Sequence, residues 1–181
     1  MSITIVNGDL LNSHCDYICH QVNCAGAMNS GVAKAIRNKW PVVFEKYREW
    51  YMSYEAWGYA QAGYYGDDSD QMANELKVSA MLGDIQVVAL CDDYNSSIRH
   101  QHVINMAAQG SYGYDGKRYT SYDAFWMCLG KIKAIVPKGS SIAFPYLIGC
   151  CRGGANWNVI YEMIKQVLSS DYDVFLYKLE E

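Results

Sequence analysis

The sequence has no apolar run near the ~18 residues that a membrane-spanning helix needs, so it predicts no membrane association. It also lacks an excess of positive charge, because 15 Lys and Arg residues stand against 19 Asp and Glu residues, for a formal net charge of −4. A protein that binds long DNA or RNA through phosphates normally carries a basic stripe, and none is visible. We therefore expect no long nucleic acid as the main ligand. Any anionic ligand must therefore be bound by groups other than a cluster of Lys and Arg side chains.

Paired CxxC motifs, the usual source of two zinc ligands at once, are absent. The seven cysteines are an odd number, and Cys15, Cys19 and Cys24 are not spaced like a zinc knuckle. We interpret them as small buried hydrophobic residues in a reducing compartment, and predict no metal and no cofactor. Residues 1–11 hold Asn7 and Asp9 where a secretory signal would need an apolar stretch, so we expect a cytoplasmic protein.

What is present suits one folded domain, since the 181 residues are 51% hydrophobic and 19% charged. Alternating and β-branched segments predict strands at residues 3–6, 17–22, 85–90, 102–107, 141–144 and 173–179. Apolar positions with a helical period predict helices at residues 31–40, continuing after Pro41 to about 51, and at 121–135 and 156–168. Strands that alternate with helices indicate an α/β layered sheet that is at least partly parallel.

Residues 53–82 do not follow this pattern and are long for a connection. Residues 71–81 are a candidate short helix within this insertion. Asp67, Asp68 and Asp70 offer oxygen ligands for a divalent cation, but they lack the further spaced oxygens and terminal Glu of a calcium loop. We interpret them as part of a solvated loop, and the chain as one domain over 1–181 with an insertion at about 53–82.

Three loops follow the predicted carboxyl ends of strands, which is where α/β sheets bind ligands. They span residues 8–10, 23–31 and 149–154, and the second and third are rich in small residues and lead into helices. Glycine lets the backbone approach a phosphate closely, and free amides at a helix start supply partial positive charge. Neither loop has the spacing of a Walker or dinucleotide motif. Although glycines also mark ordinary turns, the two loops together favour a nucleotide-type ligand.

The same segments carry a family resemblance. Residues 8–11 (GDLL), 16–33 (DYICHQVNCAGAMNSGVA) and 145–157 (PYLIGCCRGGANW) stand in the order found in macrodomains, and the likeness spans nearly the whole chain except 53–82. The sequence most resembles the branch with ADP-ribose 1''-phosphate phosphatases and TARG-like ADP-ribosyl hydrolases, which includes short single-domain viral and bacterial members. The resemblance implies a three-layer αβα sandwich with a mixed central sheet and a cleft for ADP-ribose.

The resemblance also implies roles for individual residues. Asp9, with Gly8 and the Leu10 backbone beside it, would accept the adenine amino proton, unless it only organises its own turn. Asn23 would face the distal ribose, unless it only satisfies the loop backbone. The other implied ligand-binding residues lie in the two loops and in a flap beside the distal ribose: Cys24, Ala25, Asn29, Ser30, Gly31, Val32, Ala33, Gln109, Tyr112, Pro145, Leu147, Ile148, Gly149, Cys150, Cys151, Arg152 and Gly153.

His20 ends a strand just before the binding loop, and phosphatase-type relatives have a histidine at this position. The resemblance makes His20, together with Asn23, the catalytic candidate, while the alternative is a satisfied core histidine. An imidazole there would give a proton to a leaving ribose oxygen or position a water at a phosphate. TARG-like hydrolases use a lysine and an aspartate where this chain has Gln109 and Gly153, so their lysine-dependent chemistry is not expected.

Two further details concern the ends of the ligand. The triple glycine of MacroD-like hydrolases is replaced by residues 29–31 (NSG). Tyr112 or Tyr114 would stack on the distal sugar, and Lys117 and Arg118 would meet a terminal phosphate unless they are solvated turn charges. The leading hypothesis is an ADP-ribose 1''-phosphate phosphatase. The alternatives are a hydrolase that removes ADP-ribose from modified protein or nucleic acid, and a non-catalytic binder of ADP-ribose or a related nucleotide signal.

Overall fold

The computed structural model describes residues 2–63, 69–90, 101–113 and 115–180, and these form six β-strands and five α-helices. The strands are β1 (Ile3–Asn7), β2 (Tyr17–Asn23), β3 (Ile85–Ala89), β4 (His102–Gln109), β5 (Ser141–Pro145) and β6 (Asp173–Lys178). The helices are α1 (Gly31–Lys39), α2 (Pro41–Ala62), α3 (Ser69–Met81), α4 (Tyr122–Ile135) and α5 (Trp157–Leu168). A short 3-10 turn, Leu10–Asn12, follows β1. The strands begin and end within about two residues of the predicted positions.

The strands form one mixed sheet in the order β1-β6-β5-β2-β4-β3. The pair β3 and β4 is antiparallel, and the other neighbouring pairs are parallel. Because β2, β4 and β5 are parallel neighbours, their carboxyl ends meet at the same edge of the sheet. The loops that follow these three strands therefore emerge side by side, and this edge is where the sequence predicts a ligand.

Helices cover both faces of the sheet, because successive side chains of β2 point to opposite sides. Ile18 and Val22 pack with Tyr47 of α2 in one buried cluster, which also includes residues of α1 and α3. Cys19 packs with Phe125 of α4 and with residues of α5 in the other cluster. The prediction of a three-layer αβα sandwich with a mixed central sheet is confirmed.

The predicted insertion is mostly helical. Helix α2 continues to Ala62, so it includes the first ten residues of the segment, and α3 confirms the short helix expected near residues 71–81. The second half of α2 buries only Gly58 and Ala62, which is why its hydrophobic period is weak in the sequence. A Cβ at Gly58 would lie 2.5 Å from the carbonyl oxygen of Ala73, so the glycine lets α2 and α3 pack closely. Asp70 is in α3, not in a loop, and the other two acidic residues of the triplet lie outside the described residues.

Across the described ranges, no helix is both long enough and apolar enough to cross a membrane. Cys15, Cys19, Cys24 and Cys128 are buried thiols, as predicted, whereas Cys150 is half-buried and Cys151 is exposed, so the prediction of buried cysteines was wrong for these two residues of the loop after β5. Burial raises the pKa of Cys24 and of Cys128 to about 12, so neither thiol is a reactive thiolate near neutral pH.

Candidate functional site

A cleft of about 270 Å³ lies at the carboxyl edge of β2, β4 and β5. Four segments contribute to it: the end of β2, the start of α1, the flap at the end of β4 (residues 109–113) and the loop after β5. The lining residues are His20, Gln21, Val22, Asn23, Ala27, Asn29, Ser30, Gly31, Val32, Ala33, Gln109, Tyr112, Pro145, Tyr146, Leu147, Ile148, Gly149, Cys151, Arg152 and Gly153. The structure thus brings together the two small-residue loops that the sequence singled out.

Helix α1 presents its N-terminus to this cleft. Its N-cap residue, Ser30, makes no side-chain capping bond, and the first backbone N–H groups of a helix have no partner within the helix. These amides, with the positive end of the helix dipole, suit an anion. Asn29 is oriented by Arg37, whose Nη1 donates to the Asn29 Oδ1 at 2.9 Å.

The loop after β5 is shaped by tight packing. Gly149 has φ +74°, and a Cβ there would lie 2.8 Å from the Gln21 Oε1. Leu147 also has a positive φ, 62°, which is uncommon for a residue with a side chain and places local strain in the cleft lining. Helix α5 begins after this loop, but Asn156 caps it by accepting from the Asn158 N–H at 2.9 Å. The start of α1, and not that of α5, is therefore the helix N-terminus in the cleft.

The Asn23 side chain holds the loop to which it belongs. Its Oδ1 accepts from the backbone N–H of Ala25 at 2.9 Å and from the Tyr47 hydroxyl at 3.0 Å. Its Nδ2 donates to the carbonyl oxygen of Ala27 at 2.7 Å. The structure therefore supports the interpretation of Asn23 as an organiser of the loop backbone. Since Asn23 also lines the cleft, one Nδ2 hydrogen remains for a ligand.

His20 is 1% exposed and lies among the cleft-lining residues. Its Nε2 is 2.5 Å from the Asn105 Oδ1, and its Nδ1 is buried without a hydrogen-bond partner among the described residues. Burial lowers the pKa of His20 to about 4, although the bond to Asn105 opposes this effect. The ring is therefore neutral near pH 7, so one of its two nitrogens carries a hydrogen and the other is an acceptor.

Gln21, which sequence analysis did not select, connects the flap to the loop after β5. Its Nε2 donates to the Gln109 Oε1 at 2.6 Å and to the Thr120 Oγ1 at 2.8 Å. Thr120 in turn donates to the Gly149 carbonyl oxygen at 3.0 Å. Both Nε2 hydrogens of Gln21 are used, while its Oε1 is buried without a partner in the described part of the chain. The position of Gln21 near the carboxyl end of β2 was the signal that could have identified it.

The predicted phosphate contacts of Lys117 and Arg118 are not part of this cleft. Lys117 forms an ion pair with Asp115 at 3.3 Å, and the Arg118 guanidinium lies 4.4 Å from the centre of the Tyr122 ring. Arg152 is the cation that lines the cleft, and no Asp or Glu is among its described lining residues. Tyr114 lies outside the described residues.

No protein-family model matches the chain, and no curated protein sequence matches it. Solved structures do match. A Bacteroides thetaiotaomicron protein of unknown function shares 24% identity at a TM-score of 0.69, with 98% of each chain covered. The macrodomain of Thermus aquaticus DarG shares 17% identity at a TM-score of 0.65, with 98% of each chain covered. Thermosipho africanus DarTG in complex with ADP-ribose shares 16% identity at a TM-score of 0.65, with 98% of this chain and 41% of that chain covered. The chain has the macrodomain fold.

Six further residues with predicted ligand contacts are not among those that line the cleft. The Asp9 Oδ1 accepts from the Leu11 N–H at 2.9 Å, so it caps the 3-10 turn, as the turn interpretation expected. Leu10 and Cys24 are buried in the core, and the half-buried Cys150 donates its thiol to a carbonyl of the same loop. The six are Gly8, Asp9, Leu10, Cys24, Ala25 and Cys150.

Within the described ranges, no three His, Cys, Asp or Glu side chains are grouped closely enough to hold a metal ion. What the cleft offers is amide donors at α1, one guanidinium, and two buried polar atoms without a hydrogen-bond partner among the described residues, the His20 Nδ1 and the Gln21 Oε1.

Proposed function

We propose that this macrodomain binds ADP-ribose in the cleft and hydrolyses ADP-ribose 1''-phosphate to ADP-ribose and inorganic phosphate. The observation that carries the proposal is that the uncapped start of α1 and the loop around Gly149 line the same cleft. Backbone amides there, with Arg152, hold a diphosphate without a basic surface. This accounts for anion binding by a chain with a net charge of −4.

The adenine is assigned to the end of β1. Strand β1 lies three positions from β2 in the sheet, or about 14 Å at ~4.8 Å per strand, and adenine and distal ribose are the two ends of an extended ligand. The Asp9 Oδ1 caps its turn, and the second carboxylate oxygen is the acceptor for the adenine amino group. Asp9 thus has both of the roles considered for it.

The chemistry is assigned to His20 because it is the histidine in the cleft lining. A water attacks the phosphorus, and the bare Nδ1 takes one proton from that water. The bond between phosphorus and the 1'' oxygen breaks, and the leaving oxygen takes a proton from solvent water, which gives ADP-ribose and phosphate. The protonated ring then returns its proton to solvent, so that protons balance over the cycle. A neutral imidazole is the form that accepts a proton, in agreement with its lowered pKa.

Calorimetry with ADP-ribose and a phosphate-release assay with ADP-ribose 1''-phosphate test the two parts separately. We expect binding, turnover, and a loss of at least ~100-fold in kcat for His20→Ala with little change in ADP-ribose affinity. Asp9→Ala should weaken ADP-ribose binding, while Asp70→Ala, an exposed change on α3, should not. An absence of ADP-ribose binding would overturn the whole proposal.

The other activities are outcomes of the same experiments. Release of free ADP-ribose from a modified protein, without phosphate release, would replace the phosphatase by an ADP-ribosyl hydrolase. Tight binding with the ligand recovered unchanged would identify a non-catalytic binder. The lack of a carboxylate among the described lining residues favours this binder as the second candidate, because it leaves no side-chain acid for the leaving oxygen.

A further inference from the structure

Three polar side chains lie next to one another across three strands. His20 of β2 is directly opposite Asn105 of β4, and Asn105 is directly opposite Gln86 of β3. The His20 Nε2 is 2.5 Å from the Asn105 Oδ1, and the Asn105 Nδ2 donates to the Gln86 Oε1 at 2.9 Å. The Gln86 Nε2 then donates to the backbone carbonyl oxygen of Lys46, in α2, at 2.8 Å. This relay leads from the cleft to the edge strand of the sheet.

The direction of every hydrogen bond in the relay follows from its last member. A backbone carbonyl can only accept, so Gln86 must present its Nε2 to Lys46 and its Oε1 to Asn105. The Gln86 Oε1 can only accept, so Asn105 must present its Nδ2 to Gln86 and its Oδ1 to His20. That Oδ1 also only accepts, and the ring nitrogen that faces it must therefore carry a hydrogen.

We infer that Asn105 and Gln86 are positioning residues that hold His20 as the Nε2–H tautomer, with Nδ1 left as a hydrogen-bond and proton acceptor. His20 then acts on a ligand as a base and not as an acid, a consequence that rests on the proposed function. The tautomer itself is a property of the free protein. Of the two roles that the sequence left open, the relay selects activation of water and rejects proton donation to a leaving oxygen.

The tautomer is measured directly by nitrogen-15 NMR of the ligand-free protein labelled at histidine, with His20→Gln used to assign the signals. We expect the proton of His20 on Nε2 and a non-protonated Nδ1 near neutral pH. A proton on Nδ1 in the wild-type protein would overturn the inference without any variant having to fold.

Two substitutions at Gln86 test the relay by changing its polarity. Gln86→Glu offers only acceptors to Asn105, so His20 should stay in the Nε2–H form. Gln86→Lys offers only donors, so the Asn105 amide must turn its Nδ2 toward the ring and the proton must move to Nδ1. If both variants kept the wild-type tautomer, Gln86 would have only a structural role.

The kinetic consequence separates this inference from the proposed function. With ADP-ribose 1''-phosphate, Gln86→Lys should lower kcat by about 10- to 100-fold with KM nearly unchanged, and Gln86→Glu should keep most of the activity. Val87→Lys, an exposed change at the next position of the same strand, is the matched control and should be as active as wild type. If the tautomers behave as expected but no phosphate is released, the proposed function fails and the relay stands. If activity is present and Gln86→Glu and Gln86→Lys lose it equally, the relay fails and the proposed function stands.

Discussion

The buried His20 should make the stability of the protein depend on pH between about 4 and 6.5. Its pKa is lowered to about 4 in the folded protein because the ring is removed from water, whereas an unfolded histidine titrates near ~6.5. Between these two values the unfolded chain binds a proton that the folded protein does not bind. The free energy of unfolding must therefore decrease as the pH falls through this window.

The magnitude follows from the two pKa values. One pKa unit corresponds to ~1.4 kcal/mol, so the full difference is about 3 kcal/mol near pH 4, of which about 2 kcal/mol is already lost at about pH 5. Such a loss is a large share of the ~5–15 kcal/mol by which a domain of this kind is stable. Above about pH 7 His20 is mostly neutral in both the folded and the unfolded state, so its contribution to the free energy of unfolding no longer changes with pH.

The experiment compares wild type with His20→Gln, because the variant keeps a polar side chain but removes the titration. Urea unfolding of both proteins at pH 7, 6 and 5 gives the free energies of unfolding, and the other titrating groups cancel in the difference. We expect wild type to lose about 2 kcal/mol more than the variant between about pH 7 and 5. Parallel pH profiles for the two proteins would show that His20 titrates normally, and would refute the argument from burial.

Three further predictions concern the cleft. Gly149→Ala should weaken ADP-ribose binding at least ~10-fold, because the new Cβ would lie 2.8 Å from the Gln21 Oε1. The matched control is Gly139→Ala, where φ is a similar +83° but no atom lies within 4 Å of the new Cβ. This control should bind ADP-ribose normally, although its backbone strain of about 1–2 kcal/mol is comparable. If calorimetry gave the two variants equal affinities for ADP-ribose, the close packing of Gly149 against Gln21 would not matter for binding. Tyr47→Phe removes a donor to the Asn23 carbonyl oxygen at 2.8 Å, so we expect about 1–3 kcal/mol of destabilisation in urea unfolding, and an unchanged midpoint would contradict this. Chelator treatment should leave ADP-ribose affinity unchanged, and a loss that added metal restores would reveal a metal requirement.

The architecture was predictable because the signals for it are local. The alternation in residues 17–22 and the helical period after Gly31 both reflect burial against the central sheet, and the structure places β2 and α1 there. The loops at the carboxyl ends of β2 and β5 followed from topology, since parallel neighbours bring these ends together. The second half of α2 was missed because glycine and alanine form its buried contacts, which leaves little hydrophobic pattern in the sequence.

The interior of the site was not predictable in the same way. Whether Asn23 faces a ligand or its own loop depends on Tyr47, which is 24 residues away in the sequence. The tautomer that we infer for His20 depends on Asn105 and Gln86, which are adjacent only after three strands have paired. Such partners are set by strand register, and register is a property of the folded sheet.

The distribution of donors and acceptors in the cleft restricts what can fill it. The amides at the start of α1 and the Arg152 guanidinium are donors that favour an anion. The His20 Nδ1 and the Gln21 Oε1 are buried acceptors that need a hydroxyl or an N–H group. An inorganic polyphosphate would satisfy only the donors, and an uncharged nucleoside only the acceptors. A ligand with a diphosphate and free sugar hydroxyls satisfies both, and this is why an acidic chain without a basic stripe is compatible with a nucleotide sugar.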